Sequence, residues 1–471
     1  MYKAFFLSPL TIAELTACIS HHYPTWQVCF LNNQHAPVIG ILPKISWRLQ
    51  AQDTAQDFVL TTAKRHISDD IGYQHERTNS DYAHFLTVIE NYSQQNYQAT
   101  PASPNDAIVY HEGLMGFVGY DIAAHALSHD IVVDNRQPAA FFGHYDIYIS
   151  PCVGGFELIG NDADLGILPQ IASQLCKLTR QDLPTVTALK LTALWSKQDY
   201  LNAFEQVQRY LHAGDGYQIN LTQVWQSNTP HQRVLAAHLP YLMGISNAPF
   251  AGFVDCGDFE LLSISPELFF SFYQQDDGIH IITKPIKGTR PRATNIQHDN
   301  QLKTELATSD KDIAENLMIV DLLRNDLGKY AFTGSVKTPH RFAIESFHNV
   351  HHMVSTITAH LHPDNHPLSV LFGSLPAGSI TGTPKKRACQ IIAELETLPR
   401  GAYCGTLGFI NFDGTGRFNV LIRTLQANAS SVSVWAGGGI TVRSDALSEY
   451  QECWDKISTI LDALQSPQSS S

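Results

Sequence analysis

Alternating apolar stretches recur through both halves of this chain with helices between them but no regular strand–helix–strand succession, and that pattern removes more folds than any other feature of the sequence. A doubly wound sheet needs strand, helix and strand in steady succession. Here 28–31 and 139–149 read as antiparallel strands, and 113–121 as a buried strand with glycines where backbones pack closely. The run 217–225 alternates, with Gln218, Asn220 and Thr222 on one face. Residues 409–414 and 417–425 read as a hairpin about an Asp-Gly turn, and 431–436 as a strand leading into Gly437, Gly438 and Gly439. Helices are expected from Ser196 to about 212, over about 310–327 and over about 445–464. No Gly-x-Gly-x-x-Gly follows a strand, which argues against a dinucleotide fold. The expected class is α+β.

A length of 471 residues exceeds one ordinary core, so two lobes are expected, 1–190 and 195–464, joined by a linker-like stretch at about 178–194. The net charge of −13 comes with no long basic run, which disfavours nucleic acid and anionic membrane as partners. Eight cysteines are scattered with no Cys-x-x-Cys pair, as in a reduced, cytoplasmic protein. No leader pattern and no apolar stretch near 18 residues is present, so neither a signal peptide nor a membrane span is expected.

Several segments carry chemistry. Lys287 lies in Pro-Ile-Lys-Gly-Thr-Arg-Pro-Arg (285–292), before Gly288 and Thr289. Partial burial of an amine there favours its neutral, nucleophilic form; the alternative is a lysine at a strand end with its head in water. Glu267, in Ser-Pro-Glu at the end of an apolar strand, is a candidate general acid. On the last helix Glu449, Glu452 and Lys456 fall within about a 60° arc. They form either a solvated face with an ion pair or a site for a hard cation such as Mg²⁺. Glu315 is either a helix-dipole partner or the carboxylate that completes that site from a second helix. Arg423, read inside the apolar strand, needs an anionic partner, and a ligand carboxylate would serve. The glycine triplet offers bare N–H groups or an ordinary turn. One of His351 and His352 either orients a substrate group or is a satisfied interior histidine.

Taken together these segments resemble the chorismate-utilising enzymes. The matching pieces are Gly-Asp-Gly-Tyr-Gln-Ile-Asn-Leu (214–221), 265–267, 285–292, the helix segment 312–326, Pro-Ala-Gly-Ser-Ile-Thr-Gly-Thr-Pro-Lys (376–385), 437–440 and Ser-Glu-Tyr-Gln-Glu (448–452). Residues 1–190 resemble the N-terminal lobe of anthranilate synthase component I, chiefly at Gly-Phe-Val-Gly-Tyr-Asp (116–121). The resemblance implies two large antiparallel sheets packed face to face, with helices outside. It implies Glu315 and Glu452 as Mg²⁺ ligands with Glu449 close by. Gly288, Thr289, Tyr403, Arg423, Gly437, Gly438 and Gly439 would hold the carboxylates of chorismate, Lys456 would neutralise charge near the metal, and His352 would lie in the site.

Two positions divide the family. Isochorismate and salicylate synthases carry a water-activating lysine where this chain has Gln218, and an amide has no basic lone pair at neutral pH. Anthranilate synthases typically carry alanine where this chain has Lys287, which is the aminodeoxychorismate synthase pattern. The resemblance therefore implies amination of chorismate at C4, for 4-aminobenzoate and folate biosynthesis, through a covalent Lys287 adduct with Glu267 as acid. The alternatives are anthranilate synthase component I and a non-catalytic chorismate-binding partner of a glutaminase. No cysteine sits in a Gly-x-Cys-x-Gly elbow, so ammonia is expected from a separate glutamine amidotransferase subunit.

Overall fold

The computed structural model describes all residues except 1, 53–56, 68–70, 101–107, 162–165, 228–232, 348–349 and 467–471. Its strands form two twelve-stranded antiparallel sheets. In order across the first lie Tyr2–Phe6, Gly155–Gly160, Ile147–Cys152, Val38–Ile41, Cys29–Leu31, Gly252–Asp255, Phe259–Ser263, Thr424–Asn428, Val432–Ile440, Gln218–Ser227 and Thr192–Ala193, with Gly382–Thr383 also on Gln218–Ser227. The second runs Ile286–Pro291, Val350–His360, Gly278–Thr283, Leu268–Gln275, Gly416–Asn419, Thr406–Asn411, Gly113–Val118, Ala140–His144, Ile45–Ala51, Phe58–Ile67 and Ile71–Ser80, with Lys337–Ser346 on Val350–His360. Each sheet takes strands from before and after residue 190. The sheets meet through large apolar side chains, as where Phe117 of the second lies 5.8 Å from Phe259 of the first. Helices bury apolar faces on this pair of sheets; Lys197–Ala213 starts at a capping box between Ser196 and Asp199 and ends at left-handed Gly214.

Three sequence expectations change. The run 139–149 divides into Ala140–His144 and Ile147–Cys152, which belong to different sheets. The run 113–121 is a strand only to Val118, and Tyr120–Leu127 turns into a helix with Asp121 in its first turn. The run 417–425 also breaks: Gly416–Asn419 lies in the second sheet and Thr424–Asn428 in the first. Residues 420–423 make the crossing, and Arg423 there has φ 51°, outside any strand. Period-two patterning cannot see such a crossing, because side chains stay buried on both sides of it.

One buried ion pair ties these parts together. Arg400 is fully buried and grips Glu396 twice, Nε to Oε2 at 2.8 Å and Nη2 to Oε1 at 2.6 Å. The guanidinium also donates to the carbonyls of Ile380 and Asn220, both at 3.2 Å, and lies 4.7 Å from the ring centre of Tyr120. Glu396 accepts from the backbone and hydroxyl of Thr222 at 3.0 and 2.8 Å. Such a pair is stable because every polar atom is satisfied, and removing one partner strands a charge. Glu396→Ala is therefore expected to lower stability by about 3–5 kcal/mol. Lys3→Ala, at an exposed pair with Glu157, is expected to change it by under about 1 kcal/mol. Urea unfolding midpoints measure both; equal shifts contradict the role given to the buried pair.

Candidate active site

The expected site residues sit where the chain passes between the sheets. Residues 264–267 lead from Phe259–Ser263 in the first sheet to Leu268–Gln275 in the second, and 420–423 lead back. The two crossings run side by side: Val420 N–H donates to the Glu267 carbonyl at 3.1 Å, Ser265 Oγ to the Val420 carbonyl at 2.6 Å, and Ile264 N–H to the Arg423 carbonyl at 3.1 Å. One crossing carries Glu267 and the other carries Arg423.

Glu267 is buried, and burial pushes its carboxyl up to about 7, against the opposing pull of Lys287 and of a hydrogen bond from Ser379. Ser379 Oγ donates to Glu267 Oε1 at 3.3 Å, while Lys287 Nζ donates to the Ser379 carbonyl at 3.4 Å. One residue of segment 376–385 thus touches both the candidate acid and the candidate nucleophile. The Lys287 charge also acts on Glu315 and Glu452. Gly288, next along, has φ 79°, and a Cβ there would stand 2.7 Å from Leu306 Cδ1 and 2.8 Å from Asp312 Cγ, so only glycine fits. Thr289 Oγ1 and His352 Nδ1 are hydrogen-bonded at 2.8 Å. Burial and the Arg423 charge lower His352 to about 4, so its ring is neutral. His351 turns to Ser346 and Asp299 instead.

Gly437, Gly438 and Gly439 are not a turn. They lie inside Val432–Ile440, paired with Gln218–Ser227. A Cβ on Gly438 would stand 2.8 Å from Glu449 Oε2, and one on Gly439 would stand 2.7 Å from Gln218 Cδ. The bare strand therefore lets the last helix close on Gly438 and the Gln218 amide on Gly439, at opposite faces of the strand. Gln218 is fully buried, and neither amide atom has a hydrogen-bond partner. Such an amide fits a site that expects a polar ligand. Burial pulls Arg423 below the usual arginine range, and among the described residues nothing pairs with its guanidinium. Tyr403 is buried beside Trp435, ring centres 6.1 Å apart.

The carboxylates of the two helices face inward. On Ala446–Gln465, Glu449 is buried, and Lys456 reaches Glu452 at 2.6 Å and the Gly437 carbonyl at 2.8 Å. On Asp310–Gly328, Glu315 keeps Oε1 buried without a hydrogen bond. Lys311 stands 3.2 Å from Glu449 and 3.9 Å from Glu315. The solvated-face reading of the last helix holds in part: Glu452 and Lys456 form the expected i,i+4 ion pair with side chains 46% and 38% exposed, whereas Glu449 is only 2% exposed.

Among the described residues Glu315, Glu449 and Glu452 do not bring three ligand atoms within 4.8 Å of one another, and two other places lie apart from them. Asp277, His280 and His360 bring ligand atoms within 4.8 Å, but the imidazoles stack at 4.4 Å and 9°, and stacked planes do not aim two lone pairs at one ion. A cleft of about 640 Å³ lined by Ser46, Arg48, Thr61, His75 and Asp258 contains none of the candidate residues, and its Arg48 is already paired with Asp258.

Sequence reasoning left Ser379 and Lys311 without roles. Ser379 stands in segment 376–385 and Lys311 just before segment 312–326, but a lone serine or a helix-surface lysine gives no signal until the fold shows what it touches.

Comparison with known proteins gives the family and the fold. The family model for chorismate binding enzymes matches residues 44–462. Aminodeoxychorismate synthase component 1 of Salmonella typhimurium is 40% identical over 383 residues, covering 79% of this chain and 81% of that protein. Its Escherichia coli counterpart is 38% identical over 369 residues, covering 77% and 79%. The crystal structure of anthranilate synthase component I from Streptococcus pneumoniae superposes with a TM-score of 0.72 over 90% of this chain and 91% of that one, at 23% identity, and shows the shared fold. This chain belongs to the chorismate-binding enzyme family.

Proposed function

We propose that this chain is the synthase component of an aminodeoxychorismate synthase, converting chorismate and ammonia to 4-amino-4-deoxychorismate and water. The observation that carries the reading is the pair Lys287 and Glu267, an amine and a buried acid joined through Ser379. Lys287 Nζ attacks C2 of the ring, the C1=C2 electrons move to C1=C6, the C5=C6 electrons move to C4=C5, and the C4–O bond breaks. Glu267 gives its proton to the departing hydroxyl, which leaves as water, and the lysine nitrogen loses a proton. Ammonia then attacks C4 and gives up a proton, the electrons move back, and the C2–N bond breaks with Lys287 reprotonated. Two allylic displacements return the new amine to C4 with the enolpyruvyl group intact.

Arg423, Thr289, Tyr403 and the N–H groups near Gly437, Gly438 and Gly439 bind substrate carboxylates, and neutral His352 orients Thr289. Gln218 accepts and donates hydrogen bonds but cannot deprotonate water, so water is a poor rival to the amine. The residues present fit a magnesium ion: Glu315 offers a buried oxygen with no hydrogen bond, and Glu452 and Glu449 face it from the last helix. When bound, Mg²⁺ neutralises and clamps a carboxylate of the substrate. Ammonia comes from a separate amidotransferase subunit, as the name component 1 of the relatives suggests. Eight free cysteines suit a reducing, cytoplasmic setting, and among the described residues no helix is long and apolar enough to cross a membrane.

Chromatography of chorismate incubated with Mg²⁺ and ammonium tests the reading. It is expected to show aminodeoxychorismate, with turnover lost on chelation and regained with Mg²⁺. Anthranilate or isochorismate as the main product sinks it.

The acid assignment has its own pH signature. Burial raises the Glu267 carboxyl from 4.5 to about 7, so it stays protonated below that pH and ionises as pH rises through it. Infrared difference spectra between the native protein and Glu267→Gln are expected to show a protonated-carboxyl band that fades as pH rises through about 7. A band absent already at pH near 5.5, above the ordinary glutamate range, refutes the acid role.

A further inference from the structure

Two lysines stand among the glutamates of the proposed metal site, and they are held differently. Lys456 is on the same helix as Glu452 and is anchored a second time, by the Gly437 carbonyl at 2.8 Å. Lys311 has no such anchor. It sits in the first turn of Asp310–Gly328, four residues before Glu315, and its side chain is 44% exposed. Its contacts within the chain are two carboxylates, Glu449 Oε1 at 3.2 Å and Glu315 Oε1 at 3.9 Å. Those two groups come from different helices, so the ammonium bridges them.

We propose that Lys311 is the counter-ion of the metal-free site: its ammonium bridges Glu449 and Glu315 and leaves when a divalent cation binds. The inference rests on the Mg²⁺ reading given above. Glu315 Oε1 is buried and accepts no hydrogen bond, so without metal its charge is offset by Lys287 and by Lys311, which stands 3.9 Å away. A hard cation prefers those same carboxylate oxygens. It cannot share them with an ammonium, because like charges at that spacing repel. A lysine head on a flexible four-carbon stem, nearly half exposed, has solvent to move into. Lys456, 38% exposed, is held in place by the Gly437 carbonyl as well as by Glu452. Lys311 thus sets how tightly the site takes its metal and keeps the facing helices from repelling one another before the metal arrives.

Calorimetric titration of the full chain with Mg²⁺ alone, without substrate, tests this directly. Lys311→Met is expected to bind Mg²⁺ tighter than the native protein by about fivefold or more, because the competitor is gone. Lys303→Met makes the same charge change on the neighbouring helix Ile296–Ala307, outside the cluster, and is expected to leave the affinity unchanged. Lysine acetylation read by mass spectrometry needs no variant: adding Mg²⁺ to the native protein is expected to raise labelling at Lys311 and leave Lys303 and Lys329 as they were. Native Mg²⁺ binding with equal or weaker affinity in Lys311→Met, or the same gain in Lys303→Met, overturns the proposal. So does Lys311 labelling that stays flat or falls. No Mg²⁺ binding in either protein overturns the metal reading itself, and this inference with it.

Discussion

The bidentate pair between Arg400 and Glu396 is the interaction on which the arrangement of the site depends. It lies in the interior, and each of its ends holds a different part of the catalytic surroundings. Through the Asn220 carbonyl and the Thr222 backbone it fixes the strand that carries Gln218. Through the Ile380 carbonyl it fixes the segment that carries Ser379. The backbone N–H groups of Arg400 and Gly401 reach the Asp121 carboxylate at 2.9 and 2.8 Å, which brings in the helix that follows Gly119. Backbone and side chain of one arginine therefore set the spacing of three elements, and Tyr403 is three residues on.

Around that anchor the chemistry is an exercise in balancing buried charge. Glu267 and Arg423 occupy the two crossings between the sheets, where backbone leaves one ladder for the other and side chains can face the gap. Burial alone would drive the Glu267 carboxyl still higher; Lys287 and Ser379 pull it back, and the result is an acid near neutrality. Across the site the same Lys287 charge favours ionised Glu315 and Glu452. One amine thus helps keep one carboxyl poised and two others ionised, through distance and burial rather than residue type.

Much of this was legible in the chain. The helices that bear Glu315 and Glu449 follow from their caps at Ser309 and Asp445 and from their periodicity, and the Gln218 strand from its alternation. The combination of Lys287 and Gln218 separated the amination reading from its neighbours. What was not legible is where a continuous apolar run changes sheets. Arg423 looked like a strand residue because Val420, Leu421 and Ile422 before it and Leu425 after it are apolar, yet it sits at a positive φ in a crossing. The glycine triplet read either as bare N–H groups or as an ordinary turn; here bareness serves close approach of Glu449 and Gln218 within a strand. Ser379 and Lys311 gain meaning from distant partners, Glu267 at a separation of 112 residues and Glu449 at 138, and no local pattern encodes that.

The central claim is that Lys287 forms a bond to the substrate ring. Intact-protein mass spectrometry after incubation with chorismate and Mg²⁺, with ammonia withheld, tests it most directly. The account predicts one added chorismate less one water, mapped by peptide analysis to Lys287 and lost in Lys287→Ala together with most aminodeoxychorismate formation. Native-rate product from Lys287→Ala, or an adduct on any other residue, contradicts it.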